Sequence, residues 1–401
     1  MTTWAMEEFA GAKLGDRRLN ARLIKLATRF ADKPTASIPG ACPDWAETQA
    51  AYRFFDQASD GKRSLGWQDI LEPHIAQTEA RMRQHPVVLC LQDSTELDFN
   101  GQGIDGLGPL SYEARRGMYL HPTYVVTPER EPLGVTDAWM WAREKKASDG
   151  TRPGIRESLR WTEGHERIAE TVLTMPGTRL VYVADREADI AELMQRAHAL
   201  GSPADWLIRS NHNRCLPDGG GRRLVTCLIA KETAAPDGVK PVERRLLTHR
   251  AAQTLDDLVE LIEWYRCRWE IEIFFNVLKN GCRVEALQLG SVGKIELALA
   301  VYMVVSWRLA RLVRLGRTHP DLAATALFTD EEWKGAYILA KKPIPKTAPT
   351  LREVIRRIAM LGGFLARKSD GEPGVKTLWL GFQRIRDFVE GVEHMRSIHA
   401  V

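Results

Sequence analysis

The sequence lacks the features that would mark a secreted, membrane-spanning or zinc-binding protein. Its six cysteines are scattered and form no Cys-x-x-Cys pair, so neither a disulfide framework nor a zinc site is expected. The longest apolar run, from Leu297 to Trp307, is shorter than the roughly 20 residues that a membrane span needs. The acidic N-terminus has no signal-peptide pattern. These absences favour a cytoplasmic protein in which Leu297–Trp307 belongs to a buried helix.

Neither sign of charge is in large excess. The chain has 56 Lys and Arg against 52 Asp and Glu, a net charge of +4 that permits nucleic-acid binding without establishing it. Hydrophobic residues make up 44% and charged residues 27%, as in ordinary globular proteins. A length of 401 residues predicts two or three domains.

Residues 1–75 are predicted to form a small helical domain. Apolar residues recur at helical spacing between residues 14 and 30, and basic residues take much of the remaining surface, at Arg17, Arg18, Arg22 and Lys25. Asp44, with Glu47 three residues later, has the spacing of a capping box and predicts a helix that ends near Phe55. A basic helix face of this kind is most often simply solvated.

Residues 76–316 alternate between strand and helix patterns. Strands are predicted at 87–91, 119–127, 133–141, 180–184 and 206–208, and helices at 157–173, 188–200, 255–280 and 295–315. Residues 211–241 are predicted to be loop. This order favours a mixed α/β architecture and matches that of RNase H-like domains. Residues 317–401 form a third region, with polar linkers and helix patterns at 351–360 and 380–394.

Three acidic residues are candidates for a metal site. Asp93 and Asp185 each follow a buried strand, and Glu272 lies on the predicted long helix. Functional groups of α/β sheets converge beyond strand ends. Clustered carboxylates repel one another unless a cation joins them, and their oxygens suit Mg²⁺ or Mn²⁺. Two such ions about 4 Å apart serve phosphoryl transfer, although a single Asp after a strand is more often a turn residue.

The helix that carries Glu272 has a polar stripe. At about 100° per residue, Tyr265, Arg268, Glu272 and Lys279 share one face, while Glu270 points to roughly the opposite side. An apolar band beside the stripe indicates that it borders the core. Glu272 would hold metal while the cations and the phenol grip phosphate oxygens. A solvated face with i,i+4 ion pairs explains the stripe equally well when it is taken alone.

Several of these residues resemble the motifs of a known family. The spacing Tyr265-x2-Arg268-x3-Glu272-x6-Lys279 resembles the Y-R-E-K signature of the "IS-four" group of bacterial insertion-sequence DDE transposases. Residues 185–190, DREADI, resemble the motif around that group's second catalytic aspartate, and residues 92–95 the motif of the first. Weaker similarities to its N-terminal DNA-binding domain and to a C-terminal motif lie at residues 14–23, 51–54 and 361–364.

The resemblance implies a cut-and-paste DNA transposase that forms a hairpin intermediate. It implies an RNase H-like catalytic domain over 76–316 with a β insertion at about 210–245, and a helical dimerisation region over 317–401. Asp93, Asp185 and Glu272 would bind two Mg²⁺ or Mn²⁺ ions. Implied contacts to DNA phosphates are Tyr265, Arg268, Lys279, Arg186 and Arg209, and implied N-terminal DNA contacts are Arg17, Arg18, Arg22 and Lys25.

The implied partners are double-stranded DNA, as element ends and as target, and a second copy of the chain in the synaptic complex. No membrane partner is expected. The implied location is the bacterial cytoplasm, with the protein on the nucleoid when it is bound to DNA.

Two departures from the family leave alternatives open. The insertion is shorter than the family's, and Arg244 stands where the family usually has a tryptophan that stabilises a flipped base. One alternative is a catalytically defective relative that binds DNA and inhibits by mixed dimerisation. Another is an RNase H-like nuclease that cuts without joining. Metal-dependent nicking separates the first from a transposase, and strand transfer separates the second.

Overall fold

The structure is a computed structural model that describes residues 4–59, 64–210 and 225–399. Its strands are β1 Val87–Gln92, β2 Thr95–Asp98, β3 Gly108–Pro109, β4 Arg116–Val126, β5 Pro132–Trp141, β6 Arg179–Ala184, β7 Asp205–Arg209, β8 Thr226–Lys231 and β9 Glu243–Thr248. Its α-helices are α1 Trp4–Phe9, α2 Arg17–Asp32, α3 Ile38–Ala41, α4 Trp45–Phe55, α5 Trp67–Met82, α6 Leu159–Val172, α7 Ala191–Ala199, α8 Leu255–Arg266, α9 Trp269–Asn276, α10 Val292–Thr318, α11 Asp330–Leu339, α12 Leu351–Leu361 and α13 Val375–His399.

All the strands belong to one mixed sheet. Its central path is β2-β4-β1-β6-β7-β9-β8, and β5 and β3 also pair with β4. Strand β1 is parallel to β6, and β6 is parallel to β7. Strand β4 is antiparallel to both β1 and β5. The five strands predicted from the sequence therefore lie side by side in the order β5-β4-β1-β6-β7, which is the RNase H-like arrangement.

The central strands are apolar on both faces because helices cover both sides of the sheet. In β1, Leu89 and Leu91 face a core shared with the N-terminal and C-terminal helices, while Val88 and Cys90 face a second core. Helices α6 and α7 enclose that second core, and Trp161 of α6 is almost fully buried there. Alternation along the strand sends successive side chains to opposite faces, so β1 appears in the sequence as a continuous apolar run.

Helix α10 is the central support of the first core. It packs against α2, α5, α12 and strand β5, and residues 297–307 are buried throughout. The prediction of a buried helix at this apolar run is confirmed. Among the described residues, no helix combines the length and the apolar character needed to cross a membrane.

The predicted N-terminal helices form as expected. Helix α2 covers most of residues 14–30, with Leu23, Leu26 and Phe30 buried. Helix α4 begins after Asp44, whose carboxylate accepts a hydrogen bond from the backbone N–H of Glu47 at 2.7 Å. That bond satisfies one of the free amides at the start of the helix.

A buried ionic network fastens helix α1 to the rest of the molecule. Glu8 accepts hydrogen bonds from Arg81 at 2.9 and 3.1 Å and contacts Nδ1 of His74. The N–H of Val135 on β5 donates to Nε2 of His74 at 3.0 Å. The ring proton is therefore on Nδ1, which donates a hydrogen bond to Glu8. Burial alone raises the pKa of Glu8, but His74 and Arg81 outweigh it and lower that pKa to about 2.

The prediction of one continuous helix over residues 255–280 is wrong. Helix α8 ends at Arg266, and the N–H of Arg268 bonds back only three residues, to the carbonyl of Tyr265, before α9 begins. After α9 the chain forms a π-turn over Val277–Gly281. At its end, Gly281 lies so close to Trp379 of α13 that an added Cβ would be 2.9 Å from the indole ring. This turn therefore packs directly against α13, a contact that sequence periodicity does not record.

The prediction of loop over residues 211–241 is wrong for residues 226–231. These form β8, which pairs with β9 from Thr226 to Lys231 and makes the edge of the sheet. Only Leu228 of β8 is buried, so the strand's sequence lacks the apolar run of a central strand. Residues 211–224 lie outside the described residues.

Candidate active site

Two aspartates meet at one edge of the sheet. Strands β1 and β6 are parallel, and their last residues, Gln92 and Ala184, are partners in the register. Asp93 and Asp185 are the next residues along each strand, so the chain brings them side by side. The sequence suggests that the two aspartates are close together, and the register of β1 and β6 is the reason that they are.

One oxygen of each aspartate is held by the backbone just beyond it. Oδ1 of Asp93 accepts from the N–H of Ser94 at 2.8 Å, and Oδ1 of Asp185 accepts from the N–H of Glu187 at 2.8 Å. The second bond caps a short 3₁₀ turn over Arg186–Ala188. In both carboxylates, Oδ1 is therefore fixed by a backbone hydrogen bond, and Oδ2 is not part of that bond.

Glu272 reaches the same place from helix α9. The guanidinium of Arg268 contacts Oδ2 of Asp93 and lies 3.6 Å from Oε1 of Glu272, so it bridges the two acids. Glu270 turns away, since it is buried and forms an ion pair with Arg314 of α10 at 2.5 Å. Between the two glutamates of α9, Glu272 is the one near Asp93.

The electrostatics of Asp93 reflect three acids in a small space. Its burial raises its pKa most, Arg268 lowers it, and Asp185 and Glu272 raise it further, to about 7. Each charge on a neighbouring carboxylate disfavours a charge on Asp93. A bound cation would relieve this repulsion.

The donor set fits a hard divalent cation in its chemistry, since all its ligands are carboxylate oxygens. Within the described residues, no three Asp, Glu, His or Cys side chains are yet grouped as closely as metal ligands. Arg268 is the cation that joins Asp93 to Glu272 here. A metal ion on Oδ2 of Asp93 therefore requires Arg268 to release that oxygen.

Tyr265 and Arg209 complete the cluster. Tyr265 is close to Arg268, Arg209 and Asp185, which all influence its hydroxyl, and burial raises the pKa of that hydroxyl most. Arg209 is the last residue of β7, the strand next to β6. Asp185, Glu272 and Arg268 thus act on Asp93 itself. Tyr265 lies beside Arg268 and Asp185, and Arg209 lies near Tyr265.

Lys279 lies further along the sheet edge. Its Nζ donates to the carbonyl oxygen of Glu96 on β2 at 2.8 Å and pairs with Glu285 at 3.1 Å. Lys279 belongs to the π-turn. The turn before α9 and this π-turn both change the direction in which later side chains point, compared with one continuous α-helix. Lys279 therefore contacts Glu96 and Glu285 instead of sharing the face of Glu272.

The other predicted contact residues lie on the surface. Arg186 is exposed and lines a cleft with Arg160 and Glu187. In helix α2, which packs against α1, α4 and α10, the side chains of Arg17 and Arg18 are exposed, and Arg22 is partly buried. Lys25 pairs with the buried Glu47 at 2.8 Å.

Sequence reasoning missed several polar residues that support the site. Arg160 of α6, Ser94 and His121 form a hydrogen-bonded chain behind the aspartates, in which Arg160 and His121 are buried. The one signal was an arginine among the buried positions of an amphipathic helix. Any single such residue in a sequence is uninformative, because its partners lie far away along the chain.

Acidic side chains at the adjacent ends of parallel strands, on an RNase H-like sheet with helical flanks, define a class of metal-dependent nucleic-acid enzymes. Comparison with protein families agrees. Residues 1–59 match the family described as "Transposase DNA-binding", residues 150–307 match "Transposase DDE domain", and residues 304–401 match "Transposase Tn5 dimerisation domain". Asp185 and Glu272 lie inside the second match, and Asp93 lies between the first two.

The chain belongs to the DDE transposases and is a DNA transposase similar to those with Tn5-type DNA-binding and dimerisation domains. It is an enzyme that binds DNA and dimerises. DDE domains work with divalent metal ions. One similar solved structure is entitled "Cryo-EM structure of piggyBac transposase synaptic complex with hairpin DNA". It shares 9% identity over 97% of this chain and 81% of that one at a TM-score of 0.38, too low to support any conclusion.

Proposed function

We propose that this transposase cuts the ends of its element and joins them to target DNA at one site formed by Asp93, Asp185 and Glu272. The supporting observation is the register of β1 and β6, which ends both strands at the same level with an aspartate next on each. Glu272 faces this pair and shares Arg268 with Asp93.

We further propose that two Mg²⁺ or Mn²⁺ ions bind these three carboxylates. When bound, such ions activate the attacking oxygen and neutralise the leaving oxygen of an in-line displacement at phosphorus. Arg268 then exchanges Asp93 for a DNA phosphate, for which its planar fork is well suited. The same displacement, repeated, accounts for nicking, hairpin formation, hairpin opening and strand transfer.

The cations around the acids are proposed to hold DNA. Tyr265, Arg268 and Arg209 lie beside the acids, so they would grip the phosphates next to the reacting one. Arg186 would contact a neighbouring phosphate from its exposed turn. Lys279 would contact the strand after releasing Glu285. Positioning of this kind contributes much of the rate in phosphoryl transfer.

The remaining proposals concern partners and location. The DNA partners are the element's terminal repeats and the target duplex, and two copies of the chain hold two ends together in a synaptic complex. The protein works in the bacterial cytoplasm, on the nucleoid when bound. The exposed Arg244 on β9 occupies the position of the family's base-stacking tryptophan, so hairpin formation here would depend on other contacts.

Incubation of the full chain with its own terminal repeats and Mg²⁺ tests the proposal. Nicked ends, hairpins and joined products are the expected species. Binding without nicking in either Mg²⁺ or Mn²⁺ would instead identify a defective relative that inhibits by mixed dimerisation. Nicks without joined products would identify a nuclease.

Binding of the element ends is expected to weaken steeply with salt, since each neutralised phosphate contributes about −0.9 to the slope of log K against log salt. Arg17→Ala should make that slope less steep by about 0.9, the contribution of one phosphate contact, because Arg17 is exposed on α2. Lys25→Ala should change it less, because Glu47 already neutralises Lys25. Titrations at several salt concentrations measure both slopes. A larger loss for Lys25→Ala than for Arg17→Ala would contradict the assignment.

A further inference from the structure

One buried arginine connects the residues that follow the two aspartates. Arg160 lies in the first turn of α6 and is only 7% exposed. Its guanidinium donates to Oγ of Ser94 at 3.0 Å and to Oε2 of Glu187 at 2.8 Å. A third bond, at 2.6 Å, reaches the carbonyl oxygen of Glu157.

Ser94 and Glu187 are the residues whose backbone N–H groups hold Asp93 and Asp185. Each of those bonds is 2.8 Å long. The side chains of the same two residues bind two neighbouring nitrogens, Nε and Nη2, of one planar guanidinium. The distance between the two carboxylates is therefore linked through Arg160 to a rigid group of fixed width.

The guanidinium is itself held in orientation. It lies 5.3 Å from the ring centre of Trp141 and 5.1 Å from that of Trp161. Trp141 in turn donates to the carboxylate of Glu157 at 3.2 Å. Contact with two aromatic rings and hydrogen bonds from all three guanidinium nitrogens leave Arg160 little freedom.

Ser94 is also held from its other side. His121 is buried, and its Nδ1 is hydrogen-bonded to Oγ of Ser94 at 2.9 Å, while its Nε2 faces Oε1 of Gln92 at 3.3 Å. Helix α6 can approach these hydrogen-bonded side chains only because Gly164 has no side chain, since a Cβ at this position would be 2.1 Å from the side chain of Gln92.

We propose that Arg160 is a positioning residue that sets the separation of Asp93 and Asp185 and thereby the affinity of the site for divalent cations. This rests on the proposed metal-binding role of the three acids. Arg160 lies in α6, and its hydrogen bonds reach neither carboxylate directly. It acts through Ser94 and Glu187, as hydrogen-bond partners behind metal ligands commonly do.

The test measures Mn²⁺ binding to the full chain without DNA, by electron paramagnetic resonance. Arg160→Lys keeps the charge but replaces the rigid planar fork, whose separate nitrogens bind Ser94 and Glu187, with a single ammonium on a flexible stem. Mn²⁺ affinity should therefore fall about 10–100-fold. Arg167→Lys is the matched control. Arg167 is on the same helix but pairs with Asp137 at 2.5 Å, away from both strand ends, and its substitution should leave the affinity unchanged.

Two further variants keep the proposal testable if Arg160→Lys fails to fold. Glu187→Gln alters a side chain that is 58% exposed, and Ser94→Ala removes one hydroxyl. Each should fold and weaken Mn²⁺ binding by a smaller factor. Affinities within twofold of the native protein in both, or in a folded Arg160→Lys, would overturn the proposal.

Asp185→Asn separates this proposal from the one on which it rests. Native Mn²⁺ affinity in Asp185→Asn would show that the acids are not the ligands. Weak binding in Asp185→Asn with native binding in Arg160→Lys would leave the metal site intact and reject only the role of Arg160.

Discussion

Asp185→Asn is expected to abolish nicking of the element's ends, with a loss of at least about 10³-fold in single-turnover rate. A metal ligand contributes several kcal/mol to charge stabilisation in the transition state, and about 4 kcal/mol corresponds to that factor. Asp93→Asn and Glu272→Gln should behave alike, because the three carboxyl groups influence one another. End binding should persist, since the phosphate contacts remain.

Glu270→Gln is the matched control for Glu272→Gln, two residues away on the same helix. Glu270 is 5% exposed and paired with Arg314, so its loss should lower the free energy of unfolding by about 3 kcal/mol, as for other broken buried ion pairs. Its nicking rate per folded molecule should stay close to native. If Glu270→Gln is inactive while folded and Glu272→Gln is active, the assignment of the helix face is wrong.

Glu8→Ala is expected to lower the free energy of unfolding by about 3–5 kcal/mol, the usual cost of leaving one partner of a buried ion pair behind. The change leaves Arg81 without its carboxylate and buried His74 without an acceptor for Nδ1. The midpoint of urea unfolding measures the effect. Lys13→Ala, at an exposed position just beyond the same helix, should change it by less than about 0.5 kcal/mol.

The same network gives a pH dependence of known sign. The pKa of Glu8 is lowered from 4.5 to about 2 in the folded chain, so its stabilisation is complete above pH 4.5 and is lost as the pH falls toward 2. A shift of this size corresponds to about 3 kcal/mol. Burial also lowers the pKa of His74, so protonation of the unfolded chain below about pH 6.5 acts in the same direction.

Stability profiles of the native protein and Glu8→Ala check this sign. Their difference should be constant above about pH 4.5 and shrink below it. A difference that grows as the pH falls would show that Glu8 is not held as a carboxylate in the folded chain.

Local sequence patterns predicted many of the helices and strands, because the middle of each one is determined largely by the residues within it. The apolar run in β1, the buried helix around Leu297–Trp307 and the cap at Asp44 all depend on neighbours within a few positions. The loop predicted over residues 226–231 was wrong because β8 is an exposed edge strand. Its stability comes from pairing with β9, which the local sequence does not reveal.

The positions of the acids could be predicted, but not their partners. Asp93 and Asp185 follow apolar runs, and helical spacing distinguishes Glu272 from Glu270. The bridging position of Arg268, by contrast, depends on a tight turn that the periodic pattern hides. Likewise, the sequence does not distinguish Lys25 from the other basic residues of α2, because its ion-pair partner Glu47 is brought beside it only in the folded chain.

The sequence by itself determined which acidic residues follow strands and where the central strands and the amphipathic or buried helices form, because hydrophobic periodicity and capping act over a few residues. Tertiary structure alone decided that β1 and β6 end in register, that α8 and α9 are separate, and that Arg160 joins Ser94 to Glu187. Contacts between residues 66 or 27 positions apart depend on how the sheet and helix α6 pack together. The separation of the two aspartates is a property of that packing.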